Sequence, residues 1–221
     1  MRQWDKVFRK HGRVFTEPHE DIEKIAELFR KKGVKRILDL GSGTGRHVVD
    51  FARKGFEVYG FDISESGIQL TRNWLKEEEL QANLKIGSIY QKLPYKNNFF
   101  DAVISTGVIH HETVENIKKA IREIERILKP NGLIFMTVRK RKFRKFYPKS
   151  TIIERYGKQK SRYQVIDSRT YVPLDGPEKG LKHFLFNKSL IRKEFKNFKL
   201  NIWVDSEKRH YCFSGELKSK F

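Results

Sequence analysis

Cysteine is almost missing from this chain of 221 residues: Cys212 is the only one. An intrachain disulfide is therefore excluded, which removes the small stapled secreted folds and fits a reducing compartment, the cytoplasm. Long apolar runs are missing too. No stretch approaches the roughly 18 consecutive apolar residues of a membrane-spanning helix, and residues 1–6 hold no apolar h-region. Neither a membrane partner nor a signal peptide is expected. Acids are scarce against bases, 27 against 47, which leaves a net charge of +20. That imbalance favours polyanions or anionic surfaces without naming one. No internal repeat or low-complexity linker interrupts the chain, so a single domain over 1–221, large enough to bury a sizeable core, is the default.

What is present is organised around residues 37–45, Ile-Leu-Asp-Leu-Gly-Ser-Gly-Thr-Gly. The run 34–40, broken by Lys35, Arg36 and Asp39, reads as a buried strand. Residues 46–54 have helical spacing, with Val48, Val49, Phe51 and Ala52 apolar. Such a strand, glycine loop and helix present bare backbone and the helix's free N–H groups to a ligand. The third glycine comes one residue earlier than in the dinucleotide fingerprint G-x-G-x-x-G. Asp39, two residues before Gly41, would repel a pyrophosphate and attract an ammonium or sulfonium group. Both features disfavour an NAD-type oxidoreductase; an ordinary glycine-rich turn is the plain alternative.

The rest of the chain alternates. Residues 18–32 have helical spacing, with Ile22, Ile25, Ala26 and Phe29 on one face and Gly33 as the stop. A strand over 57–63 carries Asp62 at its carboxyl end, where open α/β sheets place ligand contacts and a carboxylate can accept both hydroxyls of a ribose. Helix 66–79, strand 84–88, strand 101–105, helix 114–128, a turn at 129–132 and strand 133–138 follow. Later come a helix over 189–195 and strands over 199–204 and 210–217. Strands alternating with helices imply a doubly wound parallel α/β sheet. Residues 139–162 differ: eleven Lys or Arg against one acid, Glu154, make +10, half of the net charge, with Phe143, Phe146, Tyr147 and Tyr156 interleaved.

Four stretches stand together in order and spacing: 38–45 (Leu-Asp-Leu-Gly-Ser-Gly-Thr-Gly), 60–64 (Gly-Phe-Asp-Ile-Ser), 100–111 (Phe-Asp-Ala-Val-Ile-Ser-Thr-Gly-Val-Ile-His-His) and 127–132 (Ile-Leu-Lys-Pro-Asn-Gly). In these the chain resembles the class I methyltransferases that use S-adenosylmethionine (SAM), in particular their type 11 group. The resemblance covers about residues 34–138. It implies a Rossmann-like seven-stranded sheet in the order 3-2-1-4-5-7-6, strand 7 antiparallel, with helices on both faces. It implies a SAM-binding core over 34–138 and a basic insertion or lid over 139–180. It also implies that Asp39, Gly41, Ser42, Gly43 and Gly45 hold the methionine end, that Asp62 holds the ribose, that Ile63 and Ile89 flank the adenine, and that Ser105 and Thr106 line the floor beside the sulfonium. Ser88 stands where many members carry Asp; it can accept the adenine amino group's hydrogen bond but lacks the charge.

Methyl transfer from a sulfonium needs alignment, exclusion of water and a base only where the acceptor holds its proton. His110 and His111, just past strand 4, are the candidates for that base or for orienting the acceptor; capping the next helix is their alternative role. His-His-Glu at 110–112 lacks the i, i+4 spacing of a zinc-binding helix, so no metal is expected. Trp4, His11, Tyr171, His183 and Tyr211 are candidates for the acceptor pocket. The acceptor itself stays open between a small molecule and RNA. The second reading rests on the basic segment and on the likeness of 108–111 and 120–130 to wobble-uridine tRNA methyltransferases. A non-catalytic RNA-binding protein on the same fold is the third reading.

Overall fold

The structure, a computed structural model, describes residues 3–141, 149–156 and 159–219, and only the backbone of 154–156, 159 and 160. In chain order the elements are α1 (Gln3–His11), α2 (Ile22–Lys31), β1 (Arg36–Leu40), α3 (Arg46–Arg53), β2 (Glu57–Asp62), α4 (Glu65–Glu77), β3 (Asn83–Ile86), β4 (Phe100–Thr106), α5 (Val114–Ile127) and β5 (Leu128–Arg139). After these come β6 (Thr151–Tyr156), β7 (Gln159–Val165), β8 (Thr170–Pro173), β9 (His183–Phe184), α6 (Lys188–Glu194), β10 (Phe198–Val204) and β11 (His210–Leu217).

Seven strands form one sheet in the order β3-β2-β1-β4-β5-β11-β10, with β11 antiparallel to both β5 and β10. This is the expected order 3-2-1-4-5-7-6 with its one reversed strand. Strand side chains alternate between faces, and in β1 the alternation feeds two cores. Leu38 and Leu40 pack with Ile117, Ile121 and Ile124 of α5 and with Ile191 of α6. Ile37 packs with Ile22, Ile25 and Phe29 of α2 and with Val48 and Phe51 of α3. A strand buried on both faces reads as a nearly continuous apolar run, as β1 does. The chosen face of α2 is buried throughout, and Gly33 takes a positive φ of 70° past its end.

Three elements differ from the sequence reading. Residues 3–11 form α1, where no helix was expected. The expected turn at 129–132 lies inside β5: Leu128 pairs with Phe100 and Leu133 with Ala102, so β5 advances five residues against two of β4. Asn131 absorbs the excess with a φ of +60°. The excursion after β5 is a second, four-stranded antiparallel sheet, β6-β7-β8-β9, with a small core of Val165, Tyr171 and Leu185. Part of the basic stretch, 142–148 together with 157–158, lies outside the described residues.

Candidate active site

The loop after β1 bends on left-handed glycines. Gly41 has φ +87°, and a Cβ there would come within 2.5 Å of Val108. Only glycine both accepts that φ and leaves the space. Gly43 and Gly45 also have positive φ, and α3 starts directly after Gly45. The loop is pinned from β2: Asp62 Oδ2 accepts from the Gly43 N–H at 2.8 Å and Oδ1 from the Ser64 N–H at 2.7 Å. Ser64 caps α4, its Oγ accepting from Gly67 N–H at 3.0 Å, so Asp62 is released from that role.

A cavity of about 650 Å³ opens above this loop. Gly41, Ser42, Gly43 and Thr44 form one end, with Asp62, Ile63, Ser88 and Ile89 beside them and Thr106 on the floor. Trp4 and Phe8 of α1 and Phe15 close it from above. Asp39 lies beneath the wall rather than on it. It is 1% exposed, and neither carboxylate oxygen has a hydrogen-bond partner among the described residues. Burial lifts its pKa to about 7, opposed by the Arg46 guanidinium. His47, beside it at 3.9 Å, is held neutral by burial.

The far end of the cavity is lined by His110, His111, His183 and His210, with Arg139, Glu178 and Arg209. Ring centroids are 4.3 Å apart for His110–His111 and 4.5 Å for His111–His183. Burial lowers the pKa of each: His110 far below the usual range, His111 to about 4, His183 to about 2 and His210 by less, Asp205 opposing the fall with a contact at 2.9 Å. All four are neutral at physiological pH and can accept a proton or a hydrogen bond.

Of the residues chosen from sequence, Gly41, Ser42, Gly43, Asp62, Ile63, Ser88, Ile89, Thr106, His110, His111, Trp4 and His183 line this one cavity. Gly45 and Ser105 do not. Ser105 spends its hydroxyl on Leu40 O at 2.7 Å. Tyr171 stands behind His183, stacked on it at 4.8 Å. His11 is exposed at the end of α1, and Tyr211 lies away from the wall beneath Lys140. Sequence reasoning missed Phe8, Phe15, Arg46, His47, Tyr90, Arg139 and His210. Of these, only Arg46 and His47 carried a local signal, the two positions after the glycine loop.

Residues 38–136 match a family model described as a methyltransferase domain, of the type 11 group. Over those residues the chain carries a methyltransferase domain. It is 31% identical over 135 residues to a ubiquinone biosynthesis O-methyltransferase of Rickettsia canadensis, covering 61% of this chain and 55% of that protein. It is 36% identical over 103 residues to a tRNA (carboxymethyluridine(34)-5-O)-methyltransferase of Arabidopsis thaliana, covering 46% of this chain and 23% of that protein. The chain spans about half the length of the first curated relatives it matches. A SAM-dependent methyltransferase from Clostridium acetobutylicum has the same fold, with a TM-score of 0.68 at 15% identity over 98% of both chains. The residues around the loop of this methyltransferase domain fit SAM. Gly41 and Gly45 leave no room for a Cβ, so the loop presents backbone to a ligand, and an orphaned buried carboxylate suits a cationic amine.

Proposed function

We propose that this chain transfers the methyl group of SAM to a nucleophilic atom of a small, ring-sized acceptor held at the histidine end of the cavity. One observation carries the reading: a single cavity runs from the glycine loop to four neutral imidazoles. Its volume of about 650 Å³ lies within the roughly 300–1,000 Å³ of ligand sites. In this reading Asp39 balances the methionine end's ammonium from beneath Gly41–Gly45, and Asp62 accepts the ribose hydroxyls. Ile63 and Ile89 flank the adenine, with Ser88 at its amino edge. Bound SAM supplies a methyl group already activated by positive sulfur. The protein aligns the acceptor and keeps water out through Trp4, Phe8 and Phe15. His110 and His111 orient the acceptor or take its proton, since their rings stay neutral.

RNA as the acceptor is the second reading. It is supported by the likeness to the tRNA enzyme, by Arg139 and Arg209 on the cavity wall and by the net charge of +20.

Ligand-induced stabilisation tests the cofactor. A ligand at 100 times its dissociation constant adds about 2.7 kcal/mol. The melting temperature should rise by several degrees with SAM or S-adenosylhomocysteine and stay unchanged with NAD. A rise with NAD alone would overturn the reading. Radiolabelled SAM incubated with the protein in a cell extract then separates small labelled acceptors from labelled RNA.

A further inference from the structure

His110 and His111 follow β4, while His183 begins β9 in the second sheet, yet the three rings meet. One ligating nitrogen from each lies within 4.8 Å of the other two. The main chain holds them there, because the N–H of Phe184 donates to His110 O at 2.8 Å and ties β9 to the end of β4. Buried polar atoms are normally hydrogen-bonded. Here His110 Nδ1 and both ring nitrogens of His183 are buried without a hydrogen-bond partner among the described residues. The Glu178 carboxylate stands 3.4 Å from His183 Nε2. Each neutral imidazole keeps one lone pair beside its N–H, and three ring nitrogens gathered within 4.8 Å can share one electron-pair acceptor.

We propose that His110, His111 and His183 bind a divalent transition-metal ion of the Zn²⁺ class. Imidazole sets select such ions over Mg²⁺ and Ca²⁺, which take oxygen ligands. At zinc–nitrogen distances of about 2.0–2.1 Å, tetrahedral ligands stand roughly 3.4 Å apart, so the rings draw in by about 1.4 Å at most. Three protein ligands leave the fourth position open, the arrangement of sites that bind substrate rather than brace a fold. All three histidines line the cavity, which gives that position access to a bound molecule. Where the proposed methyl transfer holds, it takes an oxygen or sulfur of the acceptor. The local spacing at 110–112 gave no sign of the site, because the third ring comes from 72 residues further along.

A second group, His19, Asp21 and Cys212, also brings three potential ligand atoms together. Its thiol is pushed up to about 12 by burial and holds its proton, so it is a poor ligand at neutral pH.

The test uses the tag-free full chain, stripped with a chelator and titrated with Co²⁺ by absorption and with Zn²⁺ by calorimetry. The expected result is about one ion per chain, visible bands of tetrahedral Co²⁺ displaced by Zn²⁺, and no thiolate-to-cobalt charge-transfer band. His183→Asn and His111→Asn should each weaken Zn²⁺ binding by more than the roughly ten- to hundredfold carried by outer-shell partners. Both should keep the SAM-induced rise in melting temperature, which reports an intact fold. Cys212→Ser should keep the ion. No ion on the wild-type chain, binding unchanged in His183→Asn, or binding lost in Cys212→Ser would overturn the site. If Co²⁺ binds as described while SAM leaves the melting temperature unmoved, the site stands and the methyl-transfer reading falls.

Discussion

At Asp39 the fold carries a carboxyl group that nothing among the described residues hydrogen-bonds. Its pKa is near 3.8 in an unfolded chain and about 7 in the folded one. Between those values the native state holds a proton that the unfolded state has released, so stability falls as pH rises through the window from about 4 to 7. Asp39→Asn should flatten the melting temperature against pH over that window and weaken SAM binding. Thermal scans across a buffer series would show it, and an unchanged slope would mean the carboxylate is already balanced. Asp39 was legible because an acid two residues before a glycine loop is chemically specific. Its position behind the wall was not legible, since strand alternation gives the face but not the depth. Asp62 was also legible by its place at the end of β2. Of the two N–H groups it accepts from, Ser64 is a local neighbour two residues on, whereas Gly43, 19 residues back, left no local trace. His183 was singled out as an aromatic candidate, but its meeting with His110 depends on the pairing of β9, which no spacing rule reaches.

Among the elements, α1 does the most that the sequence concealed. Asp5 is buried and accepts from Ser64 Oγ and from the Ser66 N–H, both at 2.9 Å, so α1 supplies a second cap to the N-terminus of α4. Phe8 of the same helix packs against the glycine loop, 3.4 Å from where a Gly43 Cβ would stand. Asp5→Ala leaves two donors without their acceptor and should lower stability by about 1–3 kcal/mol, read by urea unfolding. It should also weaken SAM binding, although Asp5 does not line the cavity. Equal SAM affinity in the variant would show that α1 and the loop are not coupled. The long amphipathic helices α2 and α5 were readable because their apolar stripes are unbroken. Helix α1 is nine residues with few apolar groups, too weak a pattern to stand without its partner. Strand β7 was hidden because Arg162 and Gln164 stand exposed on it and mask the alternation.

For the whole molecule, the net charge of +20 is the property that reaches furthest from the surface. If RNA is the acceptor, binding should weaken with salt along a log–log slope of about −0.7 per phosphate contacted. Replacing Lys140, Arg141, Lys142, Arg144 and Lys145 by Gln should flatten that slope in filter-binding assays with bulk tRNA and leave SAM binding intact; Arg139 lines the cavity and stays. A full slope in the five-fold variant, or tRNA binding no tighter than an uncharged polymer at low salt, would leave the small acceptor as the sole reading. The second sheet has one more consequence. The chain leaves the main sheet at Arg139 and rejoins it at Phe198 in β10, so the second sheet and α6 belong to one excursion between β5 and β10. Closure entropy grows only with the logarithm of loop length, and doubling the excursion costs roughly 0.6 kcal/mol. That is less than the desolvation penalty of one orphaned buried hydrogen-bonding group. The far wall of the cavity can therefore be lengthened, shortened or exchanged for another shape at little thermodynamic expense, while the half that carries the glycine loop remains as it is.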